Sequence, residues 1–190
     1  MRKIGLISCL LLWLCAALSA QDYHLNGYAG FGYARFITDL ELDGLNPNGF
    51  NGKIRLMWKP EHLLSVGIEA GYHYLYSYSY SDIATDFGVT DVSSSLTALP
   101  IFLAAGMEIT SSIELLGGIG PTILYTFFES HGNETKSSQL SASYFMAGRY
   151  QYTINESLAV GGELNFYHID KIEDSTLSLQ FILSYHLLSW

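Results

Sequence analysis

Charged residues recur on the polar side of several alternating segments of this sequence, where they could neutralise one another in a buried interior. Arg55 and Glu69 lie in consecutive segments joined by a short turn, and Arg149 and Glu163 are related in the same way. An unpaired buried charge is costly, so each charge there needs a partner of opposite sign. Their similar heights above the two turns predict cross-strand ion pairs within one ionic network. The same side carries two further candidate members, Lys53 and Glu114.

Two carboxylates flank the predicted turn Thr110–Ser112. Glu108 and Glu114 are expected to face each other there, and close carboxylates raise each other's proton affinity. We favour a solvated rim over a functional carboxylate pair as the interpretation of this turn.

A short acidic motif, Asp39-x-Glu41-x-Asp43-Gly44, superficially resembles a calcium-binding loop. The twelfth position of such a loop requires a bidentate Glu, and here it is Phe50. The sequence therefore argues against an EF-hand, and it predicts no metal site and no cofactor.

Four residues could serve an enzyme that acts on lipid: His73, Ser77, His131 and His168. Such an enzyme needs a His, a Ser or carboxylate, and an orienting group that converge on one point. The spacing of these residues does not require convergence. We therefore predict a protein that is not an enzyme and keep a lipid-modifying enzyme as an alternative.

The stretch Leu64–Tyr80 alternates strictly between apolar or aromatic residues on even positions and small, polar or charged residues on odd positions. Alternation of this kind is typical of a β-strand. A strand that spans a membrane needs about 9–11 tilted residues, and this stretch is longer. Its tyrosines gather at one end, where an interfacial girdle would lie. The stretch therefore predicts a transmembrane strand with its apolar face towards lipid.

Seven further segments alternate in the same way. The eight predicted strands are 23–36, 52–58, 64–80, 95–109, 113–126, 138–152, 158–169 and a last strand from 177. The connections alternate between short turns and longer polar loops, the latter spanning 37–51, 81–94, 127–137 and 170–176. This pattern predicts an all-β fold, an eight-stranded antiparallel up-and-down transmembrane β-barrel with short periplasmic turns and four external loops. Its lumen would be just wide enough for its own side chains, including the ionic network.

Residues 1–20 read as a signal peptide, because a basic start precedes an apolar run and small residues. The barrel domain is then residues 21–190. Both cysteines, Cys9 and Cys15, fall within the signal. Removal of Arg2 and Lys3 with it leaves seven basic and eighteen acidic residues, a formal charge of −11. This charge argues against a nucleic-acid partner.

Four features of the chain resemble the small eight-stranded outer membrane β-barrel domain proteins, a porin-like family. They are the Gly/Tyr-rich first strand, Leu99-Pro100-Ile101, Gly117-Gly118-Ile119-Gly120-Pro121 and the aromatic last residue, Trp190. The resemblance implies an outer-membrane location, contact with membrane lipids and lipopolysaccharide, and recognition by the barrel assembly machinery. It also implies a monomer. Trp190 has the parity of the polar face of its strand. Either a small kink after Leu187 restores the apolar parity, or the C-terminal aromatic signal is degenerate.

The function expected from these features is structural support of the envelope, or interaction at the surface through acidic loops. The predicted loops hold eleven acidic residues against two lysines, Lys136 and Lys171. Besides the lipid-modifying enzyme, two alternatives stay open. One is a narrow channel, in which the ionic network gates small ions, or a carrier of a small apolar ligand. The other is a soluble lipocalin-like barrel with an apolar interior.

Overall fold

The structure is a computed structural model that describes residues 23–38, 44–60, 63–85, 88–130 and 133–189, and the side chains of these residues outside 82–90. Several sequence predictions fall outside the described residues: the signal peptide at 1–20, the acidic motif at Asp39, Glu41 and Asp43, and also Asp86, His131 and Trp190.

Nine antiparallel strands make up one sheet that closes on itself. The strands are β1 (His24–Ile37), β2 (Leu45–Asn46), β3 (Asn48–Lys59), β4 (Leu64–Thr85), β5 (Gly88–Thr110), β6 (Ile113–Ser130), β7 (Asn133–Thr153), β8 (Leu158–Ile169) and β9 (Asp174–Ser189). Apart from the two-residue β2, which pairs with β4, each strand pairs with its neighbours in the chain, and β1 pairs with β9 to complete the ring. The predicted eight-stranded antiparallel up-and-down barrel is therefore confirmed.

The barrel has two different ends. The turn end carries the short connections at 60–63, 111–112 and 154–157, together with residues 23 and 189. The loop end carries the other connections, including a 3₁₀ turn, Asp170–Ile172. Most of the predicted loops 81–94 and 127–137 are strand instead, because β4, β5, β6 and β7 continue as hairpins beyond the barrel. The predicted loop 37–51 was also too long, since β2 and the start of β3 occupy its second half.

The outward face of the ring is apolar. Leu179 and Phe181 on β9 are exposed, whereas Arg149 and Glu163 are 1% and 0% exposed inside the barrel. In a soluble protein the apolar side chains are inside and the charged ones outside. The opposite arrangement seen here is the one expected where hydrocarbon surrounds the barrel. It removes the lipocalin-like alternative. In the part of the chain that is described, no helix is both long and apolar enough to cross a membrane.

One irregularity lies near the end of β9. The pairing of β1 with β9 shifts by one residue between Leu25 and Asn26, which leaves Leu187 as an extra residue on β9. Leu187 and Leu188 are consequently both exposed. The predicted kink after Leu187 is therefore present. At Pro100, by contrast, the pairing of β5 with β6 keeps one register on both sides of the proline, so no extra residue is inserted there.

Candidate functional site

Four charged side chains meet in the lumen. Lys53 and Arg55 project from β3, Glu69 from β4 and Glu163 from β8, and none is more than 6% exposed. Arg55 donates from Nε to Glu69 Oε2 at 2.6 Å, and from Nη1 and Nη2 to the two oxygens of Glu163 at 3.0 and 3.1 Å. Lys53 also donates to Glu163 and lies 3.8 Å from Glu69. Both carboxylates are thus shared between two cations.

The contacts to Glu163 cross the lumen. In the ring, β3 and β8 are separated by β1 and β9, so their side chains meet only through the interior. Arg55 and Glu69, in contrast, are direct cross-strand neighbours on β3 and β4. The network therefore ties opposite walls of the barrel together, as well as adjacent strands.

The predicted pair of Arg149 and Glu163 forms a register pair but not an ion pair. The two residues are opposite each other on β7 and β8, yet Arg149 donates to Glu114 on β6. Glu163 is already engaged by the two cations of β3, and Glu114 also accepts from Ser65 at 3.0 Å. The guanidinium of Arg149 stacks 4.0 Å from the ring centre of Tyr28.

The predicted facing of Glu108 and Glu114 is confirmed, but the predicted solvated rim is wrong for Glu114, which is 5% exposed. The residues are register partners, but each carboxylate has its own cation, because Glu108 bonds to Lys59 at 2.5 Å and Glu114 binds Arg149. In total, three buried cations face three buried carboxylates among the described residues, so the interior network is neutral.

A row of polar side chains continues from this network around the wall. Successive register partners run from β6 to β4 in the order Glu114, Arg149, Glu163, Gln180, Gly32, Asn51, His73. The side-chain nitrogen and oxygen atoms of Gln180, Asn51 and His73 have no hydrogen-bond partner among the described residues. Sequence reasoning missed this row. Only the closed pairing of β1 with β9 makes it continuous.

An apolar cluster lies next to the network in the interior, and several of its members fill the loop-end side. It includes the buried side chains of Phe36, Leu75, Leu96, Leu124 and Ile169. Nearer the network, Tyr167 packs edge-on to Phe102 and shares a 2.8 Å hydrogen bond with Thr122. The cluster was not predicted, because the charges dominate the inward face in the sequence pattern, although Leu75 has inward parity in its own strand.

Of the residues considered for lipid chemistry, the three that the structure describes do not converge. His73 lies inside the barrel with its ring 4.7 Å from that of Tyr167. His168 has the outward parity of β8, 3.0 Å from Ser175 and next to the ring of Tyr144. Ser77 lies four residues beyond His73, towards the loop end. Among the described residues, no cluster of three or more His, Cys, Asp or Glu side chains is placed to hold a metal ion.

Several solved structures are similar to this chain. Ail of Yersinia pestis, in complex with the heparin analogue sucrose octasulfate, has a TM-score of 0.54 at 15% identity, over 86% of this chain and 99% of that chain. A major outer membrane protein of Thermus thermophilus has a TM-score of 0.51 at 12% identity, over 87% and 99%. Neisserial surface protein A has a TM-score of 0.50 at 9% identity, over 86% of this chain and 97% of that chain. At these identities the similarity shows the fold alone.

No curated protein matches the chain. The model of one protein family, described as outer membrane protein beta-barrel domain, matches residues 6–186. That match covers nearly the whole sequence and agrees with the ring of strands and its apolar exterior. The chain belongs to the outer membrane protein β-barrel domain family.

Proposed function

We propose that the protein is a closed, non-enzymatic barrel of the outer membrane whose function lies at its loop end, where it presents a free sheet edge to another polypeptide. It is exported with removal of residues 1–20, inserted by the barrel assembly machinery and surrounded as a monomer by membrane lipids and lipopolysaccharide. The loop end then faces outwards and the turn end faces the periplasm.

The observation that carries this proposal is the open edge of β7. Pairing of β7 with β8 begins only at Ser143 and Ile169, whereas pairing with β6 extends to Ser130 and Asn133. Among the described residues, 133–142 therefore have a strand neighbour on one side only, and the side chains of 133–140 are exposed. Such an edge offers backbone donors and acceptors to an added strand.

Charge at the loop end favours a basic partner. The described side chains there include six carboxylates, Asp91, Glu129, Glu134, Asp170, Glu173 and Asp174, and three cations, Arg35, Lys136 and Lys171. Ail was solved with a sulfated, polyanionic ligand. An acidic loop end repels a ligand of that kind, so a basic extended segment fits this chain better.

The test uses the barrel in lipid nanodiscs and an immobilised peptide of alternating Thr and Lys, with a Thr and Glu peptide as the charge control. Neighbouring strand residues direct their N–H groups to opposite sides, so Ser137→Pro and Ser138→Pro form a matched pair. One proline removes a bond to β6, and the other removes a free donor from the edge. We expect the variant that keeps heat-modifiable gel migration to lose binding of the Thr and Lys peptide. Unchanged binding by that folded variant would exclude a role for the edge.

A narrow channel is the second candidate, and the unpaired side chains of Gln180, Asn51 and His73 favour it, because they could carry water through part of the lumen. The neutral network and the apolar cluster oppose ion flow. Single-channel recording in planar bilayers separates the two functions. A closed barrel predicts no current at any voltage, and discrete steps of current would support the channel.

A further inference from the structure

The outward wall of the barrel, which is largely apolar, carries a groove of about 630 Å³. The groove lies over β5, β6 and β7, and its lining includes Ile101, Leu103, Ile119, Pro121 and Ala142. Ile119 and Leu103 project from the wall with about two-thirds of their surface exposed, at 68% and 70%. The groove is therefore an indentation within the belt that faces hydrocarbon.

Small residues and a break in hydrogen bonding produce this indentation. Pro121 and Ala142 are register partners on β6 and β7, and they place two small groups side by side between larger neighbours. Pairing of β5 with β6 is interrupted between Pro100 and Leu103, opposite Gly120 and Pro121. Pro121 has no N–H to donate. Gly120 allows the close approach, because a Cβ there would lie 2.0 Å from the carbonyl oxygen of Ile101.

The loop end of the groove is polar. Asp170, the first residue of the 3₁₀ turn, lines it. This turn is held over β7 by a hydrogen bond of 3.0 Å from the backbone N–H of Lys171 to Ser141 Oγ. Tyr144 also lines the groove, and its ring lies 5.0 Å from that of His168. Aromatic and charged groups in this order are typical of the boundary between hydrocarbon and headgroups.

We propose that this groove binds one acyl chain of a phospholipid from the leaflet at the loop end, with the headgroup near Asp170. The occupant follows from continuity with the apolar belt, because the molecules that contact this face of an outer-membrane barrel are lipids. Hydrophobic burial does not favour one lipid-facing site over another, and packing contacts decide instead. A groove contacts a chain from several sides, whereas a convex wall contacts it from one, so the groove gains more dispersion energy.

The experiment uses the full-length barrel in phosphatidylcholine vesicles with a small fraction of phosphatidylcholine that carries a diazirine in its palmitoyl chain. After illumination, labelled residues are located by mass spectrometry of peptides. Ala142→Phe fills the groove. Ala105→Phe is the matched control, because Ala105 is also exposed on the outward face but does not line the groove.

We expect labelling of Ile101, Ile119 and their neighbours to exceed labelling of outward residues on the opposite wall, such as Phe31 and Ile54. Ala142→Phe should abolish this excess, and Ala105→Phe should preserve it. Even labelling around the belt, an excess that persists in Ala142→Phe, or cross-linking of the groove to a second copy of the chain would each overturn the proposal. Heat-modifiable migration verifies folding, and Ala142→Leu replaces Ala142→Phe if the larger side chain prevents it.

Discussion

Removal of the Glu163 carboxylate charge is the sharpest perturbation of the lumen. Glu163 accepts hydrogen bonds from Lys53 and from both terminal nitrogens of Arg55, and its side chain is fully buried. Glu163→Gln keeps the size of the side chain but leaves Lys53 and Arg55 with Glu69 as their one remaining carboxylate among the described residues. The cluster of four then changes from neutral to a net charge of +1 at a site that is buried from bulk solvent.

Breaking a buried ion pair by removing one partner costs about 3–5 kcal/mol, because the remaining charge stays buried without compensation. We expect Glu163→Gln to lower the free energy of unfolding by about this amount. The matched control is Glu134→Gln. The ion pair of Glu134 with Lys136 is 3.5 Å long, and both side chains are more than half exposed, so that change should cost less than about 1 kcal/mol.

The assay is urea unfolding of the barrel in lipid vesicles, followed by the fluorescence of its two tryptophans, Trp58 and Trp190, with the free energy obtained by linear extrapolation. A second variant tests the reasoning itself. Adding Lys53→Met to Glu163→Gln restores neutrality with the Arg55–Glu69 pair intact, and it should recover at least half of the loss. A loss below about 1 kcal/mol for Glu163→Gln, or a double variant less stable than the single one, would refute the claim that charge balance stabilises the lumen.

Two further substitutions test the wall and the polar row. Gly120→Ala should destabilise the barrel by about 1–3 kcal/mol, because the added Cβ would lie 2.0 Å from the carbonyl oxygen of Ile101. Gly117→Ala is the control for the same urea assay. Its added Cβ would lie 3.6 Å from the nearest atom, so the change should be nearly neutral. Gln180→Met keeps the shape of a side chain whose amide atoms have no partner among the described residues. It should raise the free energy of unfolding by about 1 kcal/mol, and a decrease would show that internal water satisfies this amide.

The strands within the barrel were predictable, because hydrocarbon on one side and a packed lumen on the other impose a strict period of two. The facing of Leu179 and Arg149 follows directly from this period. Beyond the membrane, both faces of a hairpin contact water, so the alternation of apolar and polar residues is lost. The sequence of 81–94 and 127–137 consequently resembles loop, although β4 to β7 continue through most of it.

Pairing within the lumen was only partly predictable. Register across one hairpin brings Arg55 to Glu69, and this can be read from the distance of each residue to the shared turn. The bonds from Lys53 and Arg55 to Glu163 join strands that are not neighbours, over more than a hundred residues of sequence. They depend on the curvature of the closed ring, which no local pattern encodes. Once Glu163 is held from β3, Arg149 binds Glu114 instead.

The interior contains both an ionic network and an apolar cluster, and this arrangement limits how an ion could pass through the barrel. One part of the apolar cluster, which includes Phe36, Leu75 and Ile169, lies on the loop-end side of the ionic network. Exchange of ion-pair partners among Lys53, Arg55 and the two carboxylates could rearrange the network without moving that cluster. An ion would still meet a dry apolar barrier on the loop-end side, where its desolvation is uncompensated. We therefore expect the charges to stabilise the wall, and we expect that rearranging them alone does not make a pore.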